Sequence, residues 1–180
     1  MRLETSLDLM SPALTRARYT QLLKRFYGFY APVERTLLEK QAWRDLGLPS
    51  EERRKVPAMQ ADLSAVGLDQ SEIDSIPLCP GGALPPFESF EDLLGCMYVV
   101  EGATLGGQII SRHLDERFGM DKRSGCAFFA SYGQQVGPMW KTFVAALTGY
   151  PATADQSERI VDSACGTFRS FHTWLESDGV

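Results

Sequence analysis

The chain has 180 residues, of which 44% are hydrophobic and 23% are charged, and its formal net charge is −5 at pH 7. This length suffices for one domain with a substantial core, and the acidic balance argues against a nucleic-acid-binding protein, which needs a basic surface. No apolar run approaches the roughly 20 residues of a membrane span, and the N-terminus lacks the apolar region of a signal peptide. We therefore expect a cytoplasmic protein with neither nucleic acid nor a membrane as its partner.

The first half of the chain has helical periodicity. Thr15 is a predicted N-cap, and apolar residues follow it at spacings of three and four. Pro32 can occupy the first turn of a second helix that ends at Gly47. A third helix is predicted from Val56, with Gly67 as its C-terminal stop.

The second half contains a long central helix. Residues 77–86, which are rich in Pro and Gly, are predicted to form an irregular loop within one domain. The central helix is predicted from Ser89 to Gly119, and another helix from Gly137 to Gly149. The side of this second helix that we expect to be buried carries Trp140, Phe143, Val144 and Leu147.

The last predicted helix begins with a capping box, Thr153-Ala-Asp-Gln156. Its expected buried side consists of Val161, Ala164, Cys165, Phe168, Phe171 or His172, and Leu175. No sustained alternation of polar and apolar residues indicates a strand. The sequence therefore predicts an all-α bundle of about six to eight helices, forming a single domain over residues 1–180.

The four cysteines are widely scattered and include no C-x-x-C pair: Cys79, Cys96, Cys126 and Cys165. This pattern favours reduced thiols in a cytoplasm over a disulfide framework or a zinc site. We expect three or all four of them to be buried and unreactive.

The segment from Tyr98 to Leu114 is the most informative part of the chain. It follows a helical pattern, yet it contains Gly102, Gly106 and Gly107. Each glycine costs a helix interior roughly 1 kcal/mol relative to alanine. Three such residues indicate either a bend or a bare backbone surface against which something flat can lie; close packing against another helix is the structural alternative.

Four segments taken together resemble the heme oxygenase family, in particular its bacterial branch associated with phytochromes. The most specific is Glu-Gly-x-x-Leu-Gly-Gly-Gln at 101–108, and the other three are weaker alone: residues 18–34, 126–133 and 167–175. The resemblance implies an all-helical fold in which heme, both substrate and cofactor, lies between a proximal helix and a kinked distal helix. It also implies oxidative opening of heme to biliverdin, CO and iron, with electrons from a separate reductase or ferredoxin and a bacterial phytochrome as a possible recipient of the product.

The resemblance also implies roles for individual residues. In the family, distal-helix glycines at the positions of Gly102, Gly106 and Gly107 let the backbone approach the iron-bound oxygen. Ala103 stands where animal members carry an acidic residue, so Thr104 or backbone groups, with waters, would have to organise the distal side. Residues implied to border the heme are Tyr98, Leu105, Phe128, Phe129, Tyr132 and Phe168, although core packing explains such aromatics equally well.

Charged residues near this segment have ordinary interpretations as well. Glu101 is a possible member of a distal network, but a surface carboxylate is the expected role. Heme propionates need a basic rim, for which the candidates are Arg112, Arg117, Lys122, Arg123 and Arg169.

The chain departs from the family at the proximal ligand. The family pattern is His-x-x-Leu-Glu, and Leu3-Glu4 would place the histidine one residue before Met1. The alternatives are a first helix that starts upstream, which we favour, a different ligand, or loss of catalysis. His172 is a weak substitute ligand beside the apolar stripe of the last helix, and His113 is expected to be exposed or to cap its helix.

Three further hypotheses remain beside a heme oxygenase. One is a heme- or tetrapyrrole-binding protein without catalysis, and another is a helical interaction module. A related fold family degrades thiamin with a cysteine nucleophile, for which Cys96 is the nearest candidate, but no supporting acid pattern accompanies it.

Overall fold

The computed structural model describes residues 9–177, and within that range the chain is helical with no strand. The all-α prediction is confirmed, whereas the predicted first helix around Leu3-Glu4 lies outside the described residues. The α-helices of the described range are α1 (Arg16–Glu39), α2 (Ala42–Asp45), α3 (Val56–Ala65), α4 (Gln70–Asp74), α5 (Phe90–Phe118), α6 (Ala127–Ala130), α7 (Val136–Gly149) and α8 (Ala154–Glu176). Short 3-10 turns occupy Glu51–Arg53, Gly81–Ala83 and Gly133–Gln135.

Helix α1 begins at the predicted cap, because the Thr15 side chain accepts a hydrogen bond from the Arg18 N–H. The predicted break at Pro32 is wrong, since α1 continues through it. A proline lacks the N–H that would bind the carbonyl four residues earlier. Here that carbonyl, on Gly28, accepts the N–H of Cys79 at 2.8 Å instead. A contact from the loop after α4 thus compensates the helix for its proline.

Helix α5 has both of its predicted ends. Ser89 and Asp92 form a capping box at its N-terminus, and Gly119 ends it in the left-handed conformation with φ +65°. Helical hydrogen bonding continues without interruption through the three glycines. Helix α5 packs against α6, α7 and, most extensively, α8.

Helices α5 and α8 run parallel in close contact. Asp92 accepts from Arg159 through its side chain and from the Ser163 hydroxyl through its backbone carbonyl, at 2.9 and 2.7 Å. One turn further along α5, a Cβ added at Gly95 would lie 2.5 Å from the Ile160 carbonyl oxygen. Gly95 therefore permits a backbone-to-backbone approach that no larger residue would allow.

The buried side of α8 differs from the predicted stripe. Val161 and Phe168 are 61% and 43% exposed, and Cys165 is exposed as well. The side chains buried in this helix are Ser163, Thr167, Phe171 and Trp174. The small hydroxyl residues face α5 because the helices meet too closely for large apolar side chains.

An aromatic cluster joins α1, α6 and α8 in the core. Phe26 packs against Phe128, Phe129 and Phe171 with ring centroids 5.1–5.8 Å apart. Three of the four cysteines are buried, as predicted, and burial raises the pKa of Cys96 to about 12. This thiol is therefore protonated and inert, which removes the basis for a cysteine nucleophile there.

Helix α5 is the helix of the described range whose length and apolar composition would allow it to cross a membrane. Within the fold, however, 56% of its most apolar 18-residue window is buried. A core helix of a globular protein has the same properties, so this composition is weak evidence for a membrane span.

Candidate functional site

One side of α5 presents apolar side chains and bare backbone away from the core. It consists of Tyr98, Gly102, Leu105, Gly106 and Ile109, at helical spacings of three and four, and is called here the apolar face of α5. Tyr98, Leu105 and Ile109 are 41%, 43% and 60% exposed. A contiguous exposed apolar surface of this kind on a core helix indicates a binding site.

Helix α8 carries a second exposed apolar surface, formed by Val161, Cys165 and Phe168 and called here the apolar row of α8. At 100° per residue, the row lies well away from Ser163 and Thr167, the side of α8 that faces α5. The row and the apolar face of α5 are therefore two separate exposed apolar surfaces.

The glycines of α5 differ in what occupies the space of the absent side chain. A Cβ at Gly107 would lie 2.5 Å from the Phe129 carbonyl oxygen, so glycine is required there by packing against α6. A Cβ at Gly102 would lie 3.7 Å from two ring atoms of Trp140, an ordinary van der Waals distance. Alanine would fit at this position, so packing among the described residues does not explain the glycine.

A cluster of buried charges lies behind this surface, around Glu101. The expectation of a surface carboxylate is wrong, because Glu101 has no solvent-exposed area. Its side chain accepts hydrogen bonds from Arg53, from Lys55 at 2.8 Å and from the Tyr132 hydroxyl at 2.7 Å. The three donors stabilise the buried Glu101 carboxylate, because an unpaired charge in the protein interior is costly.

The electrostatics of the cluster follow from this burial. Desolvation lowers the pKa of Lys55, although the neighbouring Glu101 opposes the shift. Burial and the adjacent Glu101 carboxylate both raise the pKa of Tyr132, so its hydroxyl stays protonated and acts as a donor. The Lys55 ammonium also lies 4.1 Å from the centre of the Tyr132 ring. The cluster therefore fixes the turn of α5 that precedes Gly102.

Comparison with known proteins shows the family to which the chain belongs. The family model for heme oxygenase matches residues 85–177, which is more than half of the chain. The chain belongs to the heme oxygenase family. It is therefore an enzyme of a family for which heme is the substrate and cofactor.

Two individual proteins are similar over most of their length. A heme oxygenase from Xanthomonas campestris pv. campestris (strain 8004) is 29% identical over 163 residues, covering 89% of this chain and 90% of that protein. The structure of the heme oxygenase from Leptospira interrogans superposes with a TM-score of 0.71 at 17% identity, covering 93% of this chain and 86% of the other. The second comparison concerns the fold alone.

The residues predicted from the resemblance to heme oxygenases fall into three groups. Tyr98, Gly102, Leu105 and Gly106 lie together on the apolar face of α5, and Phe168 lies on the apolar row of α8. Their contact with heme remains a prediction, but all five are exposed or partly exposed, so a ligand can reach them.

Thr104 and Gly107 lie elsewhere on α5. The Thr104 side chain is buried, and its hydroxyl donates to the Glu101 carbonyl at 2.7 Å. Two residues along a helix correspond to 200°, so Thr104 points away from the apolar side of Gly102. The structure therefore does not support Thr104 as an organiser of distal waters.

The aromatics of 126–133 contribute mainly to packing. Phe129 is buried in the aromatic core, and the Phe128 ring lies 5.2 Å from that of Tyr30. Tyr132 is partly buried and donates to Glu101. A role of these three residues at the heme remains a prediction, and their visible contacts are explained by the core and by the charge cluster.

Neither histidine has the position of a proximal ligand. The Nδ1 atom of His172 lies 3.0 Å from a Glu176 carboxylate oxygen, one helical turn away. His113 is partly buried rather than exposed, and its Nε2 atom has no hydrogen-bond partner among the described residues. Residues 9–177 also contain no cluster of three or more His, Cys, Asp or Glu side chains that could hold a metal ion.

Two of the residues expected in a basic rim for the heme propionates bind backbone carbonyls within the fold instead. Arg117 donates to the Leu14 carbonyl at 2.7 Å, and Lys122 donates to the Ser131 carbonyl at 3.1 Å. Sequence reasoning did not place Trp140 beside Gly102, because that neighbourhood depends on the packing of α7 against α5. Only its helical spacing was visible, and that pattern indicated a core residue.

The described residues of the apolar face match the macrocycle of heme in polarity and leave backbone accessible at Gly102. A porphyrin is flat and largely apolar, and the apolar face offers exposed Leu105 and Ile109 around two glycines without side chains. The space at Gly102 is not required for packing. The surface therefore has the two properties that a flat apolar ligand needs.

Proposed function

We propose that this protein is a heme oxygenase that opens heme to biliverdin and releases CO and iron, with electrons supplied by a separate reductase or ferredoxin. The single observation that carries this proposal is the apolar face of α5, where Gly102 lacks a side chain that the packing would accept. Family membership supports the same reaction.

The residues of this chain would contribute binding and orientation. Leu105, Ile109 and Phe168 would exchange contact with water for contact with the macrocycle, which is favourable at about 25 cal/mol per Å² of apolar surface removed from water. Gly102 and Gly106 would let the macrocycle approach the backbone of α5. Burial of these groups also keeps water away from the reacting side.

Heme supplies the iron that activates oxygen, so the protein needs no other redox group. What the protein must do is hold α5 in one position while the macrocycle is bound. The ion pairs of Glu101 with Arg53 and Lys55 perform this task, since they tie α5 to the segment before α3 at the residue preceding Gly102.

A second candidate is a heme- or tetrapyrrole-binding protein that does not open the ring. The observation that favours it is the state of the two histidines, since His172 pairs with Glu176 and the Nε2 atom of His113 is buried. His172 is engaged by a carboxylate and the Nε2 atom of His113 is shielded, so no histidine of residues 9–177 is set up as an iron ligand.

Titration of the full chain with hemin, followed by reduction in air, separates the two candidates. A heme oxygenase gives a sharp Soret band that is replaced by the absorption of biliverdin when a reductase and NADPH are added. A stable ferrous complex that forms no biliverdin would instead support binding without catalysis. No saturable uptake of hemin would contradict both candidates.

A matched pair of variants links the activity to the apolar face. Leu105→Asp places a charge on the face, and Leu78→Asp places one on the loop between α4 and α5, at nearly equal exposure of 43% and 42%. Both substitutions should leave folding intact, because both side chains are exposed. Only Leu105→Asp should abolish uptake of hemin, since an unpaired carboxylate against the porphyrin is costly.

The cellular setting is part of the proposal. We infer that residues 1–180 form a single heme oxygenase-like domain that works in the cytoplasm and supplies biliverdin to a bacterial phytochrome. Free thiols at all four cysteines support the location. Co-expression with a phytochrome apoprotein tests the supply, since the chromophore should assemble only when this enzyme is active.

A further inference from the structure

Trp140 lies at one end of the apolar face of α5. Its indole ring packs edge-to-face on Tyr98, with ring centroids 5.4 Å apart and an interplanar angle of 61°. Two atoms of the same ring would be the nearest neighbours of a Cβ at Gly102, at 3.7 Å. Leu105 and Ile109, one and two turns further along α5, remain exposed. The indole therefore stands over the Tyr98 end of the face and leaves the other end open.

The indole is held from behind by the core. Its ring centroid lies 5.7 Å from that of Phe143, which is fully buried and packs in turn on Trp43 at 6.2 Å. Arg53 donates to the carbonyl of Met139, the residue before Trp140, at 3.4 Å. The same arginine binds Glu101. The buried Arg53 side chain thus holds both the residue before Trp140 and the turn of α5 before Gly102.

We propose that Trp140 is a positioning residue that sets the in-plane orientation of the macrocycle and thereby selects which meso carbon lies beside Gly102. This inference rests on the proposed function. The indole closes the Tyr98 end, so a macrocycle on the face must lie toward Leu105 and Ile109 and must place one of its edges against Trp140.

The chemistry of the macrocycle determines which edge this is. Heme has one edge with two carboxylates and an opposite edge with only methyl and vinyl groups. The atoms of Trp140 nearest Gly102 are Cη2 and Cζ3, two carbons of its six-membered ring, and a carboxylate pressed against this edge would lose water without gaining a hydrogen-bond donor. The apolar edge therefore meets Trp140, and the propionates point away from it. A smaller side chain at this position removes that discrimination.

The test uses Trp140→Phe and Trp140→Ala, with Thr142→Ala on an exposed site of α7 as the control. The products are separated by chromatography into the biliverdin isomers, and the heme-methyl proton shifts of the ferric complex report the orientation before turnover. We expect a changed isomer ratio and a second set of methyl signals in Trp140→Ala, a smaller change in Trp140→Phe, and none in the control. Affinity for hemin should fall about tenfold in Trp140→Ala.

The outcomes separate this inference from the proposed function. If the parent protein takes up no hemin, the proposed function itself is wrong. If the parent forms biliverdin and both Trp140 variants give its isomer ratio and a single set of methyl signals, the positioning role is wrong and the function stands. A loss of affinity alone, without a change in orientation, would also overturn the positioning role. Trp140→Phe keeps the test valid if Trp140→Ala does not fold.

Discussion

The glycines of α5 are present for different physical reasons. At Gly95 and Gly107, an added Cβ would meet backbone atoms of α8 and α6 at 2.5 Å, so glycine is a condition of folding. At Gly102, the added atom meets only the edge of an indole at 3.7 Å. Glycine lowers helix stability relative to alanine, so its presence at Gly102 indicates selection for something other than packing.

Substitution at Gly102 should therefore separate stability from ligand binding. Gly102→Ala should leave the free energy of unfolding unchanged or raise it by up to about 1 kcal/mol, because alanine favours the helix. The same variant should bind hemin more weakly, since the methyl group stands on the surface that the macrocycle would approach. Urea unfolding and hemin titration measure the two quantities.

Gly107→Ala is the matched control on the same helix. Its Cβ would lie 2.5 Å from the Phe129 carbonyl oxygen, and overpacking of this kind destabilises by about 1–3 kcal/mol. Equal losses of stability in the two variants, or parent-like affinity of Gly102→Ala for hemin, would contradict the distinction between these glycines.

Glu101 should be the most sensitive charged residue of the described part of the chain. Glu101→Gln leaves Arg53 and Lys55 buried without their counter-charge and turns an amide N–H toward an arginine donor. Removal of one partner from a buried ion pair typically costs about 3–5 kcal/mol. Urea unfolding measures this loss. Asp45→Asn, which breaks the exposed pair with Arg44, should have no measurable effect; a similarly small effect of Glu101→Gln would contradict a structural role of the cluster.

The motif around the glycines could be predicted from the sequence because its residues are neighbours along one helix. The burial of Glu101 could not, because its partners Arg53, Lys55 and Tyr132 lie 48, 46 and 31 residues away. Nothing in the local pattern distinguishes such a carboxylate from a surface one. The same reason explains why the place of Trp140 beside Gly102 could not be predicted, although its packing against the core could.

At the level of elements, helix boundaries were likewise predictable where they depend on residues close in sequence. Thr15 and Thr153 were recognised as N-caps, and Ser89 as the start of α5, because a cap bonds to backbone two or three residues away. The continuation of α1 through Pro32 depends on Cys79, which lies far along the chain. The buried side of α8 depends on the closeness of α5, so hydrophobicity alone identified Phe171 but not Ser163 and Thr167.

Helix α6 depends on a cap from another element. Asp62 of α3 accepts the N–H groups of Ala127 and Phe128 at 2.6 and 2.8 Å, one with each carboxylate oxygen. Burial raises the pKa of Asp62 to about 6, and the two backbone N–H groups oppose the shift. A carboxyl whose pKa is higher in the folded state contributes stability below its unfolded pKa, and that contribution is lost as the pH rises through the folded value.

The pH dependence of unfolding should reveal this group. Between pH 4 and pH 7, the parent should lose stability relative to Asp62→Asn by on the order of 2–3 kcal/mol, because only the parent must release a proton from a buried site. The difference between the two proteins removes the effects of other titrating groups. Urea unfolding at several pH values measures it. Parallel curves for the two proteins would show that the pKa of Asp62 is ordinary.

At the scale of the whole molecule, the apolar face of α5 is held in place by segments that are far apart in sequence. Trp140 of α7 packs on Tyr98, and Arg53 and Lys55 hold the turn before Gly102, so the face has this form only when the chain is folded. A ligand held on this face binds the folded chain and not the unfolded one. Binding and folding must therefore be linked.

Hemin should accordingly stabilise the protein against heat. At a free concentration of 100 times Kd, the linkage amounts to about 2.7 kcal/mol, which for a chain of this size raises Tm by roughly 5–11 °C. Calorimetry with and without hemin measures the shift. Leu78→Asp should show the same shift as the parent, and Leu105→Asp should show none, because only Leu105 lies on the apolar face. Equal increases of Tm in both variants would mean that hemin binds elsewhere, since a charge on the apolar face would then not weaken its binding.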